Sequence, residues 1–209
     1  MKLIGQGAQY KVFDLHNGRV RKIPLNKRQS HEVVKGWYAP DPPPTDAFEI
    51  DYVQHAADAT KVIARLLTNY PEFSPSLGNP TFEEKSVYTQ DKVLSLGDVL
   101  KEATPTDAKK YIMQYIESIL CHWRYGVSER AYNFTVNNGL TQDGRIILFD
   151  FGEITTDQEE VVRRIAKRRW LQAYSYRSLP SDVQNFYQQA METRITRTAL
   201  DKYWQTALV

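Results

Sequence analysis

What this chain has little of closes off several classes of protein. It holds a single cysteine, Cys121. A lone thiol forms no internal disulfide, so a small disulfide-stapled domain is excluded. Cys121 falls inside an apolar helical pattern and reads as a buried thiol. The four histidines, His16, His31, His55 and His122, are scattered without metal-ligand spacing. Neither sign of charge is in surplus, since 27 basic against 25 acidic side chains leave a net +2. Bulk electrostatics therefore gives no reason to expect a nucleic-acid partner. No run approaches the roughly 18 apolar residues of a membrane span, and residues 1–5 lack an apolar leader pattern. The expectation is a cytoplasmic protein without a membrane segment.

What is present suffices for a folded core. At 209 residues with 42% hydrophobic side chains, the chain can build one domain or two small lobes. Its 13 tyrosines point to a well-packed core or an interaction surface. Residues 1–24 read as three short strands, with Asn17-Gly18 as a hairpin turn between apolar runs. Residues 25–45 are basic, then proline-rich (Pro40, Pro42, Pro43, Pro44), and read as an irregular spacer. Helical periodicity returns over 46–69, with Thr45 or Asp46 as the cap. A strand is expected at 85–89 and a short helix around 96–103. The longest helix should run from Thr106 or Asp107 to about Tyr125, where Gly126 ends it. Strands at 134–137 and 145–150 follow. Helices come next, near 157–172, 181–194 and 197–206, with Thr156 or Asp157 and Ser181 as caps. This order is α+β in two lobes, with a small β-rich part followed by a mainly helical one.

Two motifs at distant points carry the chemistry. The first is Gly5-Gln6-Gly7-Ala8-Gln9-Tyr10, a Gly-x-Gly-x-x-Tyr turn between strands. Glycine there lets backbone N–H groups approach phosphate oxygens without a Cβ in the way. A dinucleotide fingerprint would run from strand into helix, so a second strand speaks against it. Lys22 follows on the third strand, sharing a face with Val20. A lysine beside such a turn is a point charge for phosphates. The second motif is Asp150-Phe151-Gly152, which closes an apolar strand. A strand-end carboxylate suits a hard cation, and Asn133 at the start of the preceding strand can add an amide oxygen.

In this order the Gly-rich turn, Lys22, Asn133 and Asp150-Phe151-Gly152 resemble the protein kinase-like fold. The flanking sequence is similar in style to bacterial aminoglycoside- and choline-type kinases. The resemblance implies an N-lobe over 1–93 and a helical C-lobe over 94–209. It implies that Gly5, Gly7 and Lys22 hold the phosphates of ATP, that Asn133 and Asp150 hold Mg²⁺, and that Gln90 to Val93 line the adenine site. Glu49 or Asp58 would be the acidic partner of Lys22. Two departures stand out. The position of the family's catalytic aspartate, five residues before Asn133, is Ser128. Glu129 beside it is the substitute base, and Arg130 is a candidate phosphate contact. No Ala-Pro-Glu segment follows Gly152, which points away from a regulated protein kinase. Three functions stay open. One is γ-phosphoryl transfer from ATP to a hydroxyl of a small-molecule or protein acceptor, with Lys22 and Glu129 as catalytic groups; nucleotidyl transfer with the nucleotide reversed is a variant of it. Another is a catalytically impaired pseudokinase that binds nucleotide, or a protein partner on its helical lobe. The third is an unrelated interaction domain.

Overall fold

Three strands open the chain in the computed structural model, which describes residues 1–41, 50–172, 176, 177 and 179–205. They are β1 (Lys2–Gln6), β2 (Tyr10–Asp14) and β3 (Arg19–Pro24), paired antiparallel in sequence. The β2–β3 turn bends at Gly18, with φ at 79°, as Asn17-Gly18 predicts. Its other left-handed residue is His16, φ 61°, whose N–H donates to the Asp14 carboxylate at 2.8 Å.

The segment expected as a spacer is in part a helix, α1 (Lys27–Tyr38). The Asn26 side chain accepts from the Gln29 N–H, and the Gln29 carboxamide accepts from the Asn26 N–H. That reciprocal capping box satisfies two orphan donors and starts the helix. Ser30 and Val34 are its buried residues, too sparse a stripe to register as periodicity. Residues 42–49, which include the proposed caps Thr45 and Asp46, lie outside the described residues. The next helix, α2 (Tyr52–Asn69), is capped by Asp51, whose carboxylate accepts from the Gln54 N–H at 3.0 Å. It buries Ala56, Ala59, Ile63 and Leu66.

A 3-10 turn over Pro71–Leu77 leads to β4 (Thr81–Phe82) and β5 (Tyr88–Asp91). The expected strand thus starts later, because Glu84–Ser86 form a tight turn that ends with Ser86 at φ 63°. β5 pairs with β3, giving a five-stranded sheet in the order β1-β2-β3-β5-β4. Then come β6 (Leu94–Ser95), α3 (Leu96–Glu102) and α4 (Pro105–Trp123). Thr104 caps α4, accepting from the Asp107 N–H.

β7 (Ser128–Glu129) follows. Residues 134–137, expected as a strand, form a single helical turn, α5 (Phe134–Asn137), because the Val136 and Asn137 N–H groups donate back to Asn133 O. The strand is β8 (Asn138–Leu140), which pairs with β9 (Ile146–Leu148) and β6. β10 (Ile154–Thr155) pairs with β7. The helix expected at 157–172 is α6 (Gln158–Ala166), capped by Asp157, then a 3-10 turn at Arg169–Gln172. Arg168, at φ 46°, breaks it. α7 (Ser181–Arg194) has Pro180 rather than Ser181 at its cap, and α8 (Arg197–Tyr203) follows; Thr206, expected at its end, lies outside the described residues.

The architecture is α+β, with an antiparallel sheet and segregated helices. Two hydrophobic clusters form. One joins α3, α4, α6, α7 and α8 around Trp123, Trp170 and Tyr187. The other joins Tyr10 and Tyr88 of the sheet to α2, and takes in Val127, Leu148, Phe151 and Ile154 from the later chain. Tyr176, Phe186, Tyr203 and Trp204 pack against the helical cluster. Among the described residues the exposed large apolar ones are Met1, Leu3, Ile4, Trp37, Tyr38, Ile50, Leu94 and Val136, none of them on α6, α7 or α8. Among the described residues no helix is long and apolar enough to cross a membrane.

Candidate functional site

A cleft of about 380 Å³ lies where the β1–β2 turn meets α5 and the end of β9. Gly7, Gln9 and Tyr10 overhang it, Lys22, Phe149 and Asp150 form its depth, and Asn133 and Asn137 border it.

Lys22 stands on β3 opposite Val12 and Tyr88. Its side of the strand is the buried one, and the residue is 4% exposed. Nζ donates to the Phe149 carbonyl at 2.7 Å and lies 5.1 Å from the centre of the Phe149 ring. Burial pushes the ammonium's pKa down, and the nearby Asp150 charge pulls it partly back. A buried ammonium bonded to one carbonyl has further N–H donors to offer.

Asp150 is placed by backbone bonds. The N–H groups of Phe149 and Asp150 donate to Asn137 O at 3.0 and 3.1 Å, so the α5 turn holds the end of β9. The Asp150 carboxylate faces the cleft, and its Oδ1 is buried without a hydrogen-bond partner. Phe151 turns the other way and stacks on Tyr88, ring centres 4.9 Å apart. The Gln9 carboxamide packs against Gly152 in the space that a Cβ there would occupy. Glu153 also lines the cleft. Burial and the Asp150 charge raise its pKa, against the cations of Arg164, Arg130 and Arg169.

The residues before Asn133 face elsewhere. Ser128 is buried, and its Oγ accepts from Trp123 Nε1 at 3.2 Å. Glu129 is buried below the cleft. Its Oε1 accepts from the Asn133 N–H and Asn137 Nδ2, both at 2.8 Å, and Oε2 accepts from Asn138 Nδ2 at 3.4 Å. Burial raises its pKa to about 7 despite those donors.

Of the residues proposed from sequence, Gly7, Lys22, Asn133 and Asp150 meet at this cleft, and Gly5, Gln90, Val93 and Glu129 are not among its lining residues. Gln90 is fully buried, its Nε2 donating to Leu77 O. Val93 borders a separate depression with Asp14, His16 and Lys92. Its side chain packs against Gly139, where a Cβ would stand 2.5 Å from Val93 Cγ2. Asp58 is exposed and bonded to Gln54 and Lys61, not to Lys22. Glu49 lies outside the described residues. Arg130 lies 3.4 Å from Glu160.

Sequence reasoning missed Gln9, Asn137, Trp37 and Tyr52, all of which line the cleft. Gln9 sits inside the Gly-x-Gly-x-x-Tyr turn, where only the glycines and the tyrosine carry a sequence signal. Trp37 lies inside the segment that reads as a spacer and Tyr52 in the helix expected after it, and the two meet edge to face at 5.8 Å.

A buried cation, a carboxylate oxygen without a partner and a glycine-bearing turn together suit an anionic ligand that carries a hard cation. No family model matches the sequence, and a search of curated proteins finds no match.

Proposed function

We propose that this protein is a kinase-like domain that binds ATP and magnesium in this cleft, with its phosphotransfer chemistry impaired. In this reading the sheet with α2 is the N-lobe and the helices from α3 onward are the C-lobe. The observation that carries it is Lys22 buried beside Asp150 under a glycine turn. That combination follows the same chain order as the family's phosphate and metal groups.

The residues present fit a magnesium ion. Such sites use one or two carboxylates and borrow the rest from substrate phosphates and water, and Asp150 Oδ1 is an acceptor with nothing bonded to it. Asp150 and Asn133 would hold the ion, and when bound it neutralises charge on the phosphate oxygens. Lys22 binds phosphate oxygens through the donors that Phe149 leaves over. Gly7 keeps the overhanging turn free of a Cβ.

Impairment is supported by what stands before Asn133. A hydroxyl acceptor needs a group within hydrogen-bond reach to orient it and take its proton. Ser128 is a poor base and is bonded to Trp123. Glu129 is committed to three donors. A second reading, an active phosphotransferase, is favoured by Glu153, a carboxylate that lines the cleft and has a raised pKa.

A thermal-shift titration with ATP, with and without Mg²⁺, tests the first reading. A ligand that binds only the folded state raises the melting temperature by mass action. The wild type should show a Mg²⁺-dependent rise that Asp150→Ala abolishes, with no ATP turnover. No rise in either protein removes the nucleotide reading and leaves an interaction domain. Turnover that disappears in Glu153→Gln but survives Glu129→Gln selects the second reading.

A further inference from the structure

We propose that Gln9 is a ligand-binding residue whose carboxamide donates to the outermost phosphoryl group of the nucleotide in the cleft. The inference rests on the nucleotide reading above and adds to it a residue that selects for the length of the phosphate chain.

Gln9 is 7% exposed, yet its Nε2 has no hydrogen-bond partner. Leaving a buried donor unpaired is unfavourable, and folded proteins leave few such groups. The side chain does not hang from a loose loop. Its own carbonyl accepts from the Leu25 N–H at 2.8 Å, and the Gly7 N–H donates to Tyr10 O at 3.0 Å. The next residue, Tyr10, is anchored by its hydroxyl to Thr60 Oγ1 at 3.0 Å. The backbone of the turn is thus fixed, and the Gln9 carboxamide lies against Gly152, whose missing Cβ leaves it room.

Across the same cleft Asp150 Oδ1 is also without a partner. An orphaned donor and an orphaned carboxylate oxygen that lined one cavity and lay within reach would pair with each other. They do not pair in the structure, and a group that offers an acceptor to one and a cation to the other would meet both needs. Phosphate oxygens with a divalent cation satisfy both, whereas a free cation would leave the Gln9 donor unmet. Gln9 stands over Gly152, just past Asp150 in the chain, so the phosphoryl group it meets lies at the Asp150 end of the cleft rather than toward β5.

The test measures the affinities of the full-length protein for ATP, ADP and AMP with Mg²⁺, in wild type, Gln9→Met and Gln9→Glu. Methionine keeps the length of the side chain and removes the donor; glutamate replaces the donor with a negative charge. Melting temperatures without nucleotide report folding. The expected result is a wild-type preference for ATP over ADP that Gln9→Met lowers roughly tenfold through the ATP affinity alone, as loss of a hydrogen bond to a charged group implies. Gln9→Glu should lower it further. Equal losses for ATP and ADP, no loss, or tighter ATP binding in Gln9→Met would each overturn the assignment, the last by showing that the carboxamide obstructs the cleft. A wild type that binds none of the three nucleotides removes the nucleotide reading, and this inference with it.

Discussion

At the scale of single residues, two buried titratable groups give the protein opposing pH dependences. His122, near the end of α4, packs edge-on against Phe73 at 5.4 Å and is 3% exposed. Burial lowers its pKa from 6.5 to about 4, against a backbone hydrogen bond with Ser76. The unfolded chain then binds a proton that the folded one refuses, so stability falls as pH drops from about 6.5 toward about 4. The full effect is of order 3 kcal/mol. Glu129 acts the other way. Its folded pKa of about 7 stands above the ordinary 4.5, so its contribution is present at low pH and is lost as pH rises through about 7. Urea unfolding of His122→Leu between about pH 5 and 7.5 should therefore show stability falling with rising pH more steeply than in wild type. Parallel curves would mean that His122 does not titrate as its burial implies. Lys22, Asn133 and Asp150 were legible in the sequence because each belongs to a motif of covalent neighbours. The burial of Glu129 was not, because it depends on amides brought in by a turn that had read as a strand.

At the scale of elements, α1 shows how little apolar signal a helix needs when its first turn is well capped. Removing the Asn26 cap should cost about 1 kcal/mol, so Asn26→Ala should lower the urea midpoint by that equivalent and reduce helical circular dichroism. An unchanged midpoint would place the start of α1 under other control, such as the Lys27–Asp51 ion pair at 2.7 Å. α5 makes the complementary point. A one-turn helix is too short to show a period, and its residues Phe134, Thr135 and Val136 favour strands by propensity. The turn forms because Asn133 O receives two N–H groups and Asn137 O is then free to hold the end of β9. The long helices α2 and α4 were readable, since several turns of buried side chains repeat at helical spacing.

At the scale of the molecule, the two clusters share chain segments across the cleft. Phe151 comes from the later part of the chain but is buried with Tyr88 and Phe82 of the sheet. Truncating such a ring leaves a cavity, and Phe151→Ala should destabilise the fold by about 3–5 kcal/mol. Equilibrium denaturation measures it, and a loss under about 1 kcal/mol would show that the sheet and the later chain are not joined through this ring.

Composition, the hairpin turn, the long helices and the chain order of the glycine turn, Lys22, Asn133 and Asp150 could all be read from the chain. Each depends on neighbours within a few residues or on periodicity along one element. Packing between distant segments settled the rest. It turned Ser128 and Glu129 away from the cleft, left Val93 outside it against Gly139, and set Gln9 over Gly152. Those outcomes follow from which side chains meet when β3, α5 and β9 converge, and one-dimensional order does not encode which surfaces will face each other.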